Sequence, residues 1–166
     1  MNDPELTASI AYIGIGSNLG DAVAHVRQAI VALAQWPGTR LVSQSGLYRS
    51  APLDASGDDF INAVVGIRTV FLPKELLSRL LHLESLSGRQ RTFRNAPRVL
   101  DLDILLYGEK EIKSDVLTIP HPRLTQRAFV LIPLLQIAPD IVIPGKGMAQ
   151  QYLEATSGQK VVRLEY

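Results

Sequence analysis

The sequence contains no cysteine, which removes disulfides, thiolate nucleophiles and cysteine-bound zinc together and fits a reducing compartment. It also lacks a dominant charge: the formal net charge is +1, so the chain is no general polyanion binder and basic character must be local. No stretch reaches the roughly 18 apolar residues of a membrane span. The opening Met1-Asn2-Asp3-Pro4-Glu5-Leu6-Thr7 has neither a basic n-region nor an apolar h-region, so a cytoplasmic protein with no membrane partner is expected. Missing too are G-x-x-x-x-G-K-[ST], a kinase-type glycine loop and H-R-D, which sets aside the two common nucleotide-triphosphate machines. Gly14, Gly16 and Gly20 spell G-x-G-x-x-x-G, one residue too long for the dinucleotide fingerprint. They fit either a tight strand-to-helix turn or a close approach of a ligand to the backbone.

What remains is a profile of 166 residues, 46% hydrophobic and 20% charged, which predicts one soluble domain over residues 1–166 with room for a sizeable core. Residues 11–17 read as a first strand and Asn18-Leu19-Gly20 as a turn. Asp21 would then cap a helix carrying Val23, Val26, Ile30 and Leu33 at helical spacing, closed by Pro37-Gly38. Residues 41–49 form a second extended run and residues 60–70 a third strand, with residues 54–59 as loop between them. Pro73 opens a helix whose Leu76, Leu77, Leu80, Leu81 and Leu83 supply a core face, ending near Gly88. Residues 129–137 predict a further helix, closed by Ala138-Pro139-Asp140.

The most informative stretch is Arg98-Val99-Leu100-Asp101-Leu102-Asp103-Ile104-Leu105-Leu106-Tyr107. Read as a strand, it sends Leu100, Leu102, Ile104 and Leu106 to one face and Asp101, Asp103, Leu105 and Tyr107 to the other. Residues two apart on a strand lie about 6 to 7 Å apart along its axis, so both carboxylates can converge on one cation or bridge two. Aspartate is a poor strand former, and like charges on one face repel unless a cation or basic groups offset the cost. The plainer alternative is a strand end rising into solvent.

Directly upstream stand Arg89, Arg91, Arg94 and Arg98, with no acidic residue between them and Asp101. Guanidinium groups are forked, permanently charged donors suited to phosphate oxygens. Alone they would read as a solvated loop or a nucleic-acid patch. Joined to a carboxylate pair able to hold magnesium, they supply the two parts of phosphoryl transfer, whose catalysis is mostly positioning and charge stabilisation. Phe60 and Asn62 share a strand face, where a ring and an amide can stack a flat heterocycle and read its edge; ordinary turn chemistry is the alternative for the asparagine. Pro120-His121-Pro122-Arg123 and Arg127-Ala128-Phe129 present a histidine, two arginines and a ring from a proline-stiffened loop.

These motifs together resemble the 6-hydroxymethyl-7,8-dihydropterin pyrophosphokinase family across residues 11–145. The resemblance rests, in order, on Tyr12-Ile13-Gly14-Ile15-Gly16-Ser17-Asn18-Leu19-Gly20, Tyr48-Arg49-Ser50, Asp59-Phe60-Ile61-Asn62-Ala63, Pro97-Arg98-Val99-Leu100-Asp101-Leu102-Asp103 and Pro120-His121-Pro122-Arg123-Leu124 through Arg127-Ala128-Phe129. It implies transfer of the β,γ-diphosphate of ATP to the pterin hydroxymethyl group, with AMP released, in folate biosynthesis. It implies that Asp101 and Asp103 bind two magnesium ions and that Asn62 bonds the pyrimidinone edge of the pterin. Phe60 and Phe129 would stack on its faces, and Ser50, Ala51 and Leu53 would complete the pocket. Arg89, Arg91, Arg98, His121 and Arg127 would handle the ATP phosphates, Arg89 and Arg98 counting with the two aspartates as catalytic, while Glu84, Ile104 and Thr118 fall on the adenosine side.

The implied fold is α+β of the ferredoxin-like kind, β-α-β-β-α-β with an antiparallel sheet and an added helix and hairpin toward the C-terminus. ATP and the pterin are the expected partners, with no nucleic acid, and the chain is expected to be a monomer. The chain departs from the family at Phe93-Arg94-Asn95-Ala96, where many members have a loop tryptophan, and at Val99, where a threonine is usual. Two other classes remain as alternatives. One is a nucleotidyltransferase built on Gly16-Ser17 and the aspartate pair, releasing pyrophosphate. The other is a ferredoxin-like module that binds RNA through the arginine loop with steep salt dependence.

Overall fold

The structure is a computed structural model that describes residues 8–52, 57–87 and 99–165. Its centre is strand β1 (Ser9–Ser17), which is flanked on both sides. On one side lies β4 (Phe60–Thr69), antiparallel in an unbroken register from Ser9↔Thr69 to Ser17↔Ile61. On the other lies β5 (Asp101–Tyr107), also antiparallel, from Ala11↔Tyr107 to Gly16↔Asp101. Beyond β4, the second extended run of the sequence divides into β2 (Thr39–Gln44) and β3 (Tyr48–Ser50), both paired with β4. The interruption is satisfied locally, because the Ser45 hydroxyl accepts the Val64 amide at 2.9 Å while the Ser45 amide donates to the Val64 carbonyl.

Two helices cover one face. α1 (Ala22–Ala34) starts where Asp21 accepts the Ala24 amide at 3.1 Å, the N-cap its sequence predicts. It buries Val26, Ala29, Ile30 and Leu33. α2 (Pro73–Leu86) has proline in its first turn, and Glu75 reaches back to accept the Leu72 amide at 3.3 Å. Leucine cannot accept a hydrogen bond, so only this return half of a capping box exists. The buried stripe of α2 runs Leu76, Leu80, Glu84. Leu81, expected in the core, is 48% exposed. The order β1-α1-β2-β4-α2-β5, with all ladders antiparallel, is compatible with the ferredoxin-like arrangement.

A third helix, α3 (Ala128–Ile137), packs on the opposite face through Val130, Leu131 and Leu134 against Val64, Leu105 and Leu106. This second layer continues into a small hairpin, Val142–Ile143 with Gly147–Met148, here β8 and β9. A further pair, β6 (Ile112–Lys113) and β7 (Thr118–Ile119), precedes α3. The last strand, β10 (Val161–Arg163), is laid along β3 and extends the sheet at that edge.

One irregularity matters for the site. The β1–β5 register slips between Tyr12 and Ile13, leaving Leu105 as an extra residue on β5. Strict alternation therefore holds through Ile104 and then fails. Leu105 and Leu106 both enter the α3 layer, and Tyr107 turns to the α1/α2 layer with Leu102 and Ile104. That reverses the faces expected for Leu106 and Tyr107. The Tyr107 hydroxyl ends there in a 2.6 Å bond to the Phe71 carbonyl. Among the described residues no helix is long and apolar enough to cross a membrane.

Candidate active site

The cross-strand register assembles the site on the α3 face. Tyr48 pairs with Asn62, Asn62 with Gly16, and Gly16 with Asp101, so four strands contribute to one row. One step along, Gly14 lies between Val64 and Asp103. Gly14 and Gly16 are thus strand residues, as the strand read over residues 11–17 has them, and of the two alternatives for the three glycines the tight turn holds for Gly20, at φ 60°.

The two glycines leave space for different things. A Cβ on Gly14 would come within 3.3 Å of Leu105 Cδ2, so this glycine makes room for the bulged leucine. A Cβ on Gly16 would stand 3.5 Å from Asn62 Oδ1 and 3.8 Å from Phe60 Cδ1. Gly16 lies between the amide and the acid, and its neighbours stand at ordinary van der Waals distance from where a Cβ would be.

Asn62 is 4% exposed. Its Nδ2 donates to Ser50 Oγ at 2.8 Å and more weakly to the Tyr48 carbonyl at 3.4 Å. A carbonyl only accepts, so the nitrogen faces β3 and Oδ1 faces Gly16. Ser50 and Asn62 are therefore brought together, as expected of one pocket. Phe60 opens β4 opposite Ser50, and Ala51 is exposed just beyond it. Phe129 sits in the first turn of α3, half-buried, with the Arg127 guanidinium 5.6 Å from its ring centre.

Asp101 and Asp103 are half-buried on the face expected of them. At the roughly 6.5 Å strand spacing, two such charges repel by about 0.6 kcal/mol in water and about 2.5 kcal/mol at an effective dielectric constant of 20. The start of β5 is tied down nevertheless. The buried Ser17 hydroxyl donates to the Val99 carbonyl. Glu84, 2% exposed, accepts the Leu102 amide at 2.8 Å from the α2 side. That bond satisfies a strand-edge donor between the two aspartates. With Ser17 committed in this way, the hydroxyl a Gly16-Ser17 transferase would use points into the fold.

His121 is placed by the bulge, since its amide donates to the Leu105 carbonyl at 2.9 Å. Its Nε2 lies 4.0 Å from Asp103 Oδ1. Burial lowers its pKa to about 4, the Arg127 charge pushes the same way, Asp101 opposes, and Arg123 adds a smaller decrease. At neutral pH the contact is accordingly not an ion pair. Nδ1 accepts the Arg123 amide at 3.1 Å, which leaves the imidazole proton on Nε2, facing the acids. Between the unfolded value of 6.5 and about 4 the unfolded chain binds the extra proton, so stability falls as pH drops through that window. An NMR titration of His121 without nucleotide should show a midpoint well below 6; a midpoint above 6 would contradict the assigned neutral state.

The remaining expected residues are more dispersed. Thr118 is half-buried in β7, beside β5. Ile104 is 4% exposed in the α1/α2 layer, the face away from the acids. Leu53 and the loop residues Arg89, Arg91, Phe93, Arg94 and Arg98 lie outside the described residues. Two glutamines were not anticipated. Gln136 Oε1 accepts both the Tyr48 hydroxyl at 2.7 Å and the Gly46 amide at 2.9 Å, joining α3 to the β2–β3 break. Gln159 reaches the start of α3. Gln159 stands between Gly158 and Lys160 and carries no sequence signal for such a role, whereas Gln136 is the one polar side chain of Ala128–Ile137, a signal that was there to be read.

The chain matches the family described as 7,8-dihydro-6-hydroxymethylpterin-pyrophosphokinase over residues 12–139. The Haemophilus influenzae protein named 2-amino-4-hydroxy-6-hydroxymethyldihydropteridine pyrophosphokinase is 40% identical over 155 residues, covering 93% of this chain and 97% of its own length. The protein of the same name from Methylorubrum extorquens is 44% identical over 137 residues, covering 82% and 87% respectively. A crystal structure of Plasmodium falciparum HPPK-DHPS is similar with a TM-score of 0.72 at 16% identity, a likeness of fold. It covers 89% of this chain, which spans 44% of that longer protein. By the family match and by identity over nearly its whole length, the chain belongs to the 7,8-dihydro-6-hydroxymethylpterin-pyrophosphokinase family.

Proposed function

We propose that the chain transfers the β,γ-diphosphate of ATP to the hydroxymethyl group of 6-hydroxymethyl-7,8-dihydropterin, giving the pterin diphosphate and AMP. The observation that carries this reading is the row Tyr48, Asn62, Gly16, Asp101, which sets an amide and an acid on one sheet face. Asn62 Oδ1 accepts from the pyrimidinone edge, while Phe60 and Phe129 offer the ring its stacking surfaces. Ser50 holds the amide, and Ala51 and Leu53 close that end of the pocket.

Asp101 and Asp103 hold two magnesium ions in this reading. Their fit is that of hard oxygen donors over a glycine floor. Among the described residues no cluster of three His, Cys, Asp or Glu side chains forms a closed metal cage. Two carboxylates completed by substrate phosphates is the usual manner of holding magnesium. When bound, magnesium would neutralise phosphate charge and make the substrate hydroxyl more acidic. Arg127 and the Nε2–H of His121 donate to phosphate oxygens, joined by Arg89, Arg91 and Arg98. Glu84, Ile104 and Thr118 belong to the adenosine side, Glu84 acting through its hold on β5.

The hydroxymethyl oxygen forms a bond to the β-phosphorus as the bond to the oxygen bridging the α- and β-phosphorus breaks, and AMP leaves with that oxygen. The hydroxyl proton passes to solvent water. His121 is a weak base with its proton already on the facing nitrogen, so alignment carries most of the rate. We further propose a single-domain, monomeric, cytoplasmic enzyme with no nucleic-acid or membrane partner.

The test is a product assay with ATP, magnesium and the pterin. AMP formed only in the presence of pterin, one for each pterin diphosphate, is expected. Free pyrophosphate, with the nucleotidyl group on the pterin, would assign a nucleotidyltransferase, and no product from folded protein would overturn the reading.

A further inference from the structure

The family match ends at residue 139, yet the chain beyond it returns to the site at two places. Gln159 Oε1 accepts the Ala128 amide at 2.9 Å, and Gln159 Nε2 donates to the Gln126 carbonyl at 2.8 Å. Those two backbone groups flank Arg127. An amide N–H only donates and a carbonyl only accepts, so the orientation of the glutamine side chain is unambiguous. Arg127 is the extended residue, φ −123° and ψ 109°, between the short 3-10 turn Leu124–Gln126 and α3. It has no side-chain cap of its own. Gln159 therefore supplies, from 31 residues away, a partner for one of the amides that every helix start leaves over.

Two residues further on, β10 begins. Val161 pairs with Ser50, Val162 with Arg49 and Arg163 with Tyr48, and the Leu164 amide donates to the Leu47 carbonyl at 2.9 Å. A Cβ on Gly46 would stand 3.1 Å from Arg163 Nε, so the edge is closely covered. Within three residues the chain passes from gripping the Arg127 junction to pairing with the strand whose Ser50 holds Asn62.

We propose that Gln159 is a positioning residue for both substrates: its side-chain amide fixes the junction from which Arg127 and Phe129 project and ties that junction to the Ser50 strand. The inference rests on the roles proposed above for Arg127 and Phe129. Gln159 touches neither substrate. Its action is to hold one backbone geometry at a point where a small rotation would swing a guanidinium away from the phosphates and a ring away from the pterin.

The experiment compares steady-state kinetics of Gln159→Leu, Gln159→Glu and the exposed control Lys160→Ala, with melting temperatures, in the full-length protein. Losing both bonds in Gln159→Leu should raise KM for ATP and for the pterin about fivefold to tenfold, with kcat changed less than about twofold. Gln159→Glu keeps the acceptor for Ala128, at a helix end that favours negative charge, and loses the donor to Gln126. Its KM values should fall between wild type and Gln159→Leu. Lys160→Ala should match wild type. Wild-type KM values in Gln159→Leu, whatever its melting temperature, would overturn the inference. Should that variant not fold, wild-type KM values in Gln159→Glu would do so. Arg127→Ala and Phe129→Ala in the same assay separate the two levels. If neither alters KM, the roles of Arg127 and Phe129 fail; if both do and the Gln159 variants do not, only the positioning role fails.

Discussion

Asp103→Ala should lower turnover by more than about 100-fold, because loss of an outer-shell partner of a bound metal already costs about 10-fold to 100-fold. Pterin affinity measured without metal should stay within about twofold of wild type, since Asn62, Phe60 and Ser50 are untouched. In the metal-free protein, relief of the repulsion between the acids and loss of the Asp103 contact with His121 act in opposite directions, so turnover and not the melting temperature reads the metal role. Turnover near the wild-type rate would remove the metal assignment.

Gly16→Val should fold and lose the pterin. A Cβ at this position meets only ordinary contacts with Asn62 Oδ1 and Phe60 Cδ1, and glycine inside a strand costs roughly 0.5–1 kcal/mol relative to alanine. Valine is also the better strand residue, so the melting temperature should hold or rise. The added methyl groups stand between the amide and the acid, where the proposed function lays the flat pterin ring. Pterin affinity should fall at least about tenfold, with ATP affinity affected less; the estimate assumes roughly the 1–3 kcal/mol cost of misfitted bulk in a closely packed site. Titration calorimetry with the pterin and an unreactive ATP analogue would measure both. A variant that binds the pterin normally would show that the ligand sits elsewhere than above Gly16.

The aspartate alternation was legible in the sequence because acids at alternate positions of an apolar run leave little choice of face. The N-cap at Asp21 and the helix start at Pro73 were legible for equally local reasons. The bulge was not. From Ile104 to Tyr107 every side chain is apolar and both faces of the sheet are covered, so the pattern is the same with or without an extra residue. Since the bulge carbonyl anchors His121, the position of that histidine was hidden with it. The hold of Glu84 on β5 was hidden differently: a carboxylate at the third place of a leucine stripe contradicts the hydrophobic pattern, and its reason is a strand amide from another element. Gln136 and Gln159 bond to groups 88 to 90 and 31 to 33 residues away, distances at which no local propensity speaks.

Among the described strands, the one at the middle of the sheet is synthesised before its partners. β1 leaves the tunnel with two open edges, and its partners arrive much later: β4 begins at Phe60 and β5 at Asp101. Until then a short apolar strand, Ala11-Tyr12-Ile13-Gly14-Ile15, offers unpaired amides and carbonyls to any neighbour. Its two glycines, which serve the site in the finished protein, also make that exposed strand a weaker template for pairing. β10, synthesised after its sheet partners, is the strand that joins the Ser50 edge, so a nascent chain carries the Asp101–Asp103 strand well before that edge is paired.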